Sequence, residues 1–522
     1  MWSLCALLVL SCGLEGGGPT DTNGDGGDGR GADNNPPGTS KKFWALNAND
    51  RLFQLDAVVR AEGQYCKFWV QQSLQLDESV LSELVFEYDN KIRPAVLDAF
   101  SVQGPIYEPE TGKVVAQNSL EWADYLGDGD GKLSILILDI PGGSKTSYVA
   151  GYFVPHNFYA KSDPRKDYYQ TSNETDLIYM NSRLLSDMSE FGATLAHETQ
   201  HLINFVNSAL LRRYYDKDWD MWDWESMDLW INEGLSSAAE HVYSGKYSEE
   251  RISWYNNQDE VGGKIPSGNN FFVWGERPDN ILDEYSTVYL FFQWLRLQSG
   301  GSHEIYQRIS SATVSDHQAV VSALQGKGNY VNDTHLTWET LLGDWLAANV
   351  LAAKNAPSPK HGYMKEPLLS ELKVWTVPSG YNRVRPYPGE GIVSFTNAAD
   401  KTYGNISGHG ENMRYAAVNY SGDGSVNNEK SYAKGLLITY NVNTVNEAEP
   451  GKTFEDLREL GEISPDEMPL TFSLAKKSLK SFAPHASLPP LKPQAISMED
   501  FIRLRKYQAL EAAASENIYM KH

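Results

Sequence analysis

Cysteine is scarce in this chain: Cys5, Cys12 and Cys66 are the whole complement in 522 residues. Cys5 and Cys12 fall in a short apolar stretch at the N-terminus, which leaves Cys66 alone in the body. One thiol forms no internal disulfide, so stability has to come from core packing. Cys66 lies between aromatics in the strand-like "YCKFWV" and reads as buried filler rather than as a nucleophile. Basic charge is also short. Against 68 Asp and Glu stand 45 Lys and Arg, a net charge of −23. Nucleic acid needs a basic face, so it is excluded as an expected partner. Beyond the N-terminus no apolar run approaches the ~18 residues of a membrane span, so none is expected. Internal repeats are absent. What remains is a chain too long for one core, and two or three domains are expected.

The informative segment is His197-Glu198-Thr199-Gln200-His201. Its flanks read as helix, with Leu195, Leu202, Ile203, Phe205 and Val206 spaced as in a helix buried on most sides. Two histidines four residues apart project from one helical face, because the helix turns every 3.6 residues. So placed, they suit one Zn²⁺, with Glu198 beside them as a general base. The competing reading is that all three are hydrogen-bonded core groups. A second helical segment, "WINEGLSSAAEH", favours the metal, because Glu233 in it is a suitable carboxylate donor.

The two motifs together resemble those of gluzincin zinc peptidases, and the second is similar to that of the leukotriene-hydrolase and alanyl-aminopeptidase relatives. The resemblance implies His197, His201 and Glu233 as zinc ligands, and Glu240, seven residues on, as the carboxylate that orients a zinc histidine. It also implies a tyrosine acting on the oxyanion. Tyr285 is the candidate, with core packing as its alternative and Tyr289 and His241 next in line. The closer similarity is to hyicolysin-type metallopeptidases of bacterial surfaces. It covers roughly residues 45 to 355 and includes "DGDGKLSILILDI", "AGYF", "SNETDLIYMN" and "YSTVYLFFQWL". Departures exist. His201 and Glu233 are 32 positions apart, longer than usual for gluzincins, and the excess holds the acidic, Trp-rich "RRYYDKDWDMWDWESMD". No Gly-Ala-Met-Glu-Asn segment precedes the zinc helix, which favours an endopeptidase over an aminopeptidase. Asn204 and Asn207 stand where a metzincin needs Gly and His, and exclude that class.

The implied fold class is α+β. A zincin-like catalytic domain over 43–355, with an N-terminal mixed sheet and a C-terminal helical half, precedes a β-sandwich-like accessory domain over 368–476. Residues 1–12 resemble a lipoprotein signal in which Cys12 takes the lipid, with an ordinary secretory signal as the alternative. Residues 13–42 are a Gly/Asp-rich tether. Residues 477–522 give a Pro-containing linker and an amphipathic helix opened by Ser497. The segment "SVLSELVFEYDNKI" reads as a helix stopped by Pro94, and "KLSILILDI" as a central strand. Tyr148 to Val154 is, by analogy with gluzincins, the strand at the cleft edge that pairs with extended substrate. Asp124, Asp128 and Asp130 in "DYLGDGDG" suit either Ca²⁺ or a tight turn.

The expectation is thus a monomeric zinc endopeptidase of protein or peptide substrates, at the cell envelope through a lipid anchor or secreted. A surface adhesin or host-protein binder on a peptidase scaffold is the other class. A pure binder has no need of Glu198, so the intact ligand and base set favours the enzyme.

Overall fold

A computed structural model describes residues 35 to 444 with breaks, the longest at 216–226, 257–271 and 378–387. The signal, most of the tether, "LTFSLA", the C-terminal helix and much of the Trp-rich insertion lie outside the described residues.

The chain opens with three strands, β1 (Ser40–Leu46), β2 (Leu52–Glu62) and β3 (Cys66–Gln71). Helix α1 (Glu78–Glu87) passes through a π-turn at Tyr88–Ile92 into α2 (Arg93–Phe100). The helix therefore does not stop at Pro94. Pro94 follows directly on the π-turn, where the Arg93 N–H bonds back to the Tyr88 carbonyl, and this wider turn accommodates the proline ring and its missing N–H. A hairpin of β4 (Gln103–Tyr107) and β5 (Val114–Asn118) leads to α3 (Ser119–Leu126). Then come β6 (Leu133–Leu138), β7 (Gly151–Phe153) and β8 (Leu177–Asn181).

The main sheet has the order β1-β2-β3-β6-β8-β7. β6 runs parallel to β3 and β8, and β7 closes the edge antiparallel to β8. Every residue of β6 is buried. Pleating sends alternate side chains to opposite faces. Leu133, Ile135 and Ile137 join the large core, and Leu136 and Leu138 a smaller cluster with Trp69, Tyr152 and Tyr179. A run without polar alternation is what a strand covered on both sides requires.

The second half is helical: α4 (Met188–Tyr215), α5 (Leu229–Ser244), α6 (Glu249–Asn256), α7 (Ile281–Gln298), α8 (Glu304–Ser310), α9 (His317–Leu324) and α10 (Trp338–Leu351). The mixed α+β class read from the sequence is what the structure shows. α7 is buried on all sides, with Val288, Tyr289, Leu290, Phe291, Phe292, Trp294 and Leu295 all inaccessible. Its end is marked by Gly300 and Gly301 at φ of 108° and 87°, a region glycine enters without the Cβ penalty.

After α10 the described strands are β9 (Thr376–Val377), β10 (Gly391–Thr396), β11 (Tyr403–Asn405), β12 (Met413–Asn419), the pair β13 (Ser425–Val426) and β14 (Glu429–Lys430), and β15 (Gly435–Asn441). Much of the expected sandwich, including 445–476, lies outside the described residues. Among those described, a five-stranded sheet, β11-β12-β15-β10-β9, stands there. Helix α10 packs on its apolar face. Val393, Ala416, Ile438 and Tyr440 share one core with Leu346 and Ala347 of α10, and the Tyr440 hydroxyl donates to the Glu339 carbonyl at 2.9 Å. Alternation in the strands specifies one apolar face and says nothing of what covers it.

Close approach of α5 to α7 depends on Gly234. A methyl there would overlap the Phe292 ring, and that ring is inaccessible. Gly234→Ala is expected to cost about 3 kcal/mol, the upper end of ordinary overpacking. The midpoint of chemical unfolding checks it, and an unchanged midpoint would show that the two helices separate freely.

Candidate metal centre

Helix α4 carries His197, Glu198 and His201, and all three are buried. Their rings and carboxylate lie on the α4 surface that faces α5. Glu233 and Glu240, two helical turns apart on α5, face back. The structure brings His197, His201 and Glu233 into one cluster whose ligand-capable atoms lie within 4.8 Å of one another. The Glu233 Oε2 atom is 3.6 Å from His197 Nε2 and 3.9 Å from His201 Nε2.

The other ring nitrogens are engaged elsewhere. His197 Nδ1 meets Glu240 Oε1 at 2.9 Å. His201 Nδ1 meets Ser236 Oγ at 2.7 Å and Asn232 Oδ1 at 3.2 Å. Asn204 in turn donates to Asn232. With the Nδ1 atoms so held, both Nε2 lone pairs point at Glu233, the orientation that outer partners impose on metal-binding histidines. Sequence reading anticipated Glu240 but not Asn232, Ser236 or Asn204. Ser236 and Asn232 are four apart on the helix, and that shared face is the one sequence signal that pairs them with a histidine across the interface.

The residues fit a small divalent cation on three grounds. Bonds of about 2.0–2.2 Å keep two zinc ligand atoms within about 4.4 Å of each other, and the two Glu233 separations satisfy that. The donor set, two imidazoles and a carboxylate, is one that zinc takes. Finally, Glu233 Oε2 is buried without a hydrogen-bond partner among the described residues, as are both oxygens of Glu198. Unpaired buried carboxylate oxygens are costly unless a cation meets them.

Electrostatics agree. Burial pushes Glu198 well above the usual carboxylate range, helped by Glu233 and Glu240. Burial raises Glu233 too, with Tyr285 and Arg251 pulling the other way. Burial holds His197 well below its ordinary value, with His201 and Arg251 adding to it. A neutral imidazole is the ligand form, and a dication at the cluster would draw both carboxylates back to their charged state.

Tyr285 of α7 reaches the same cluster. Its hydroxyl donates to Glu233 Oε1 at 2.8 Å. The structure thus places it on the Glu233 carboxylate. His241 lies elsewhere, bound to the Lys246 carbonyl at 2.9 Å and stacked on Tyr247. Tyr289 accepts the Ser248 backbone N–H at 2.8 Å.

The edge strand β7 backs directly onto Glu198. A Cβ at Gly151 would stand 3.2 Å from Glu198 Cγ and 3.1 Å from Thr194 Cγ2. Only a residue without a side chain lets the strand lie this close to α4 without displacing its neighbours.

A second cluster gathers Asp124, Asp128 and Asp130, with Asp176 close behind. Gly131 and Lys132 backbone N–H groups hold Asp124 and Asp130 at 2.7 and 2.9 Å. The buried Lys67 ammonium pairs with Asp130, a partner the sequence did not suggest. Asp128 Oδ2 accepts from Thr175 at 2.9 Å, while Oδ1 is buried without a partner among the described residues. Burial, with Asp130 and Asp124 adding to it, lifts Asp128 to about 6, and burial with Asp128 foremost among its neighbours lifts Asp176 well above its ordinary value.

A buried two-histidine, one-carboxylate cluster on paired helices beside a mixed sheet bears out the resemblance to zinc metallopeptidases. The chain is similar to the neutral metalloprotease ShpI of Staphylococcus hyicus, 26% identical over 336 residues. That match covers 62% of this chain and 64% of ShpI, so this chain spans less than two thirds of the relative. Yeast LTA4 hydrolase aligns with a TM-score of 0.27 at 12% identity, over 55% of this chain and 41% of that one, too slight a likeness to build on. No family model matches. Among the described residues no helix is long and apolar enough to cross a membrane.

Proposed function

We propose that this chain is a zinc-dependent endopeptidase acting on proteins or peptides. The observation that carries the reading is the convergence of His197, His201 and Glu233 beside a Glu198 carboxylate with no hydrogen-bond partner among the described residues. Similarity to a metalloprotease supports it. Zinc, when bound, supplies a Lewis acid that polarises the scissile carbonyl and acidifies water. Glu198 takes the proton of the attacking water and passes it to the leaving nitrogen. Glu240, Asn232 and Ser236 hold the two imidazoles in place. The free edge of β7, beside Glu198, pairs with the extended substrate backbone. The endopeptidase preference, the lipid anchor at Cys12, the cell-envelope or secreted location and the monomeric state belong to this proposal and rest on the sequence. An adhesin on the same scaffold is the alternative, and chelator-sensitive degradation of casein by the purified protein separates the two.

We also propose Ca²⁺ at Asp124, Asp128 and Asp130, favoured by the unpartnered Asp128 oxygen and opposed by Lys67, which already supplies one positive charge.

Three predictions follow from these readings. His201→Ala is expected to strip one zinc per chain, whereas Glu198→Gln keeps fold and zinc and loses hydrolysis; metal analysis beside casein turnover checks both, and near-normal turnover in Glu198→Gln would remove it as the base. Tyr285→Phe removes the donor to Glu233 Oε1 and is expected to weaken zinc about 10–100-fold; a fall in kcat of about 10²–10³-fold at saturating zinc would mark the hydroxyl as an oxyanion donor as well. A lowered Tm with normal kcat per folded molecule would instead return Tyr285 to the core.

The third concerns pH. The folded pKa of Asp128, about 6, lies above its unfolded value. Its contribution to stability is therefore present below about pH 4 and lost as pH climbs through about 6. Asp128→Asn keeps the acceptor for Thr175 and should gain about 2 kcal/mol over wild type between pH 4.5 and pH 8. Urea unfolding at the two pH values measures it. Ca²⁺ that raises wild-type but not variant stability at pH 8 supports the cation; no calcium shift in wild type leaves Lys67 as the cation of the loop.

A further inference from the structure

Arg251 sits in the first turn of α6, and its residue is only 2% exposed. The start of α6 is pinned to α7, since the Ser248 N–H donates to the Tyr289 hydroxyl at 2.8 Å. From there the guanidinium reaches Glu240. Nη2 donates to Oε1 at 2.6 Å and Nε lies 3.4 Å from Oε2. Two rings of α7 flank the same guanidinium, Tyr285 at 5.4 Å and Tyr289 at 5.9 Å, both within reach of a cation–π contact.

We propose that Arg251 is a positioning residue of the metal centre, acting through Glu240 on His197. The proposal rests on the zinc-peptidase reading above. An arginine has donors and no acceptor, so the Glu240 oxygens facing it must accept. Oε1 also faces His197 Nδ1 at 2.9 Å. That nitrogen is therefore the donor, and the Nε2 lone pair is left for the metal. Without the guanidinium the carboxylate is free to rotate and the tautomer is no longer fixed.

Charge balance points the same way. Glu198, Glu233 and Glu240 stand together at the α4–α5 interface. One guanidinium and one divalent ion match the three carboxylates. A buried arginine costs several kcal/mol of desolvation unless it is paired, and this one is paired where its charge bears on two of the three. The same side chain holds the face of the tyrosine whose hydroxyl donates to the metal-binding carboxylate. One residue thus orders a histidine of the cluster from outside the ligand set.

The test is a double-mutant cycle read as zinc affinity by chelator competition on the full chain, with Tm of each metal-free protein alongside. Arg251→Gln and Glu240→Gln are each expected to weaken zinc about 10–100-fold, the usual effect of losing a partner of a metal ligand. The double variant should bind zinc no more weakly than Glu240→Gln alone, because Arg251 acts through Glu240. Arg251→Lys keeps the charge and gives up the two-pronged contact. It should fold as wild type does and bind zinc with intermediate affinity. If Arg251→Gln does not fold, Arg251→Lys and the double variant, which removes both charges, carry the test. Zinc affinity unchanged in Arg251→Lys and lower only by the Glu240 effect plus an equal, independent Arg251 effect in the double variant would overturn the proposal. Lowered Tm with unchanged affinity would do the same. A wild-type protein that binds no zinc would instead sink the peptidase reading on which this rests.

Discussion

Burying two carboxylates and two imidazoles at the contact of α4 and α5 is the constraint around which the helical half is arranged. Water no longer solvates these groups, so each polar atom needs a protein partner or a metal. The Nδ1 atoms find Glu240, Ser236 and Asn232. Glu233 Oε1 finds Tyr285. What is left over, Glu233 Oε2 and the Glu198 oxygens, lies where a cation and its water belong. The outer partners come from α5, α6 and α7, which explains why these helices pack as closely as Gly234 permits. Even the sheet takes part, because β7 reaches Glu198 only through the bare backbone of Gly151.

The His–His–Glu cluster was legible in the sequence because helical periodicity is a local property. His197 and His201 are four apart, Glu233 and Glu240 seven apart, and both spacings fix a shared face before any tertiary contact is known. Arg251 was not legible. It sits in "EERISWYN", a short acidic segment that reads as solvated surface, and only the docking of α6 against α7 buries it. Tyr285 was legible as a position and not as a contact, because the helix pattern says which residue faces inward and not which carboxylate it meets. Lys67 was hidden for the same reason. Its partner Asp130 is 63 residues away.

Strands told a similar story. The unbroken apolar run of β6 was readable as a central strand because both its faces are covered. The C-terminal strands showed one apolar face each, a pattern equally satisfied by a sheet or by a helix, and here α10 supplies the cover. At Pro94 the π-turn just before it makes room for the ring, so the helix runs on past a proline that would otherwise end it.

The seam between α10 and the C-terminal sheet has a mechanical meaning. Gly391 lies against Leu346 so closely that a methyl there would collide with it, Arg414 pairs with Glu339 at 3.3 Å, and Tyr440 is bonded to the α10 backbone. These contacts clamp the two segments without help from the connecting chain. A nick in the peptide between them would leave the fragments associated, held by shared apolar surface as two halves of one body. Such non-covalent retention would keep the helices that bear His197, His201 and Glu233 together after a cut in the connecting peptide.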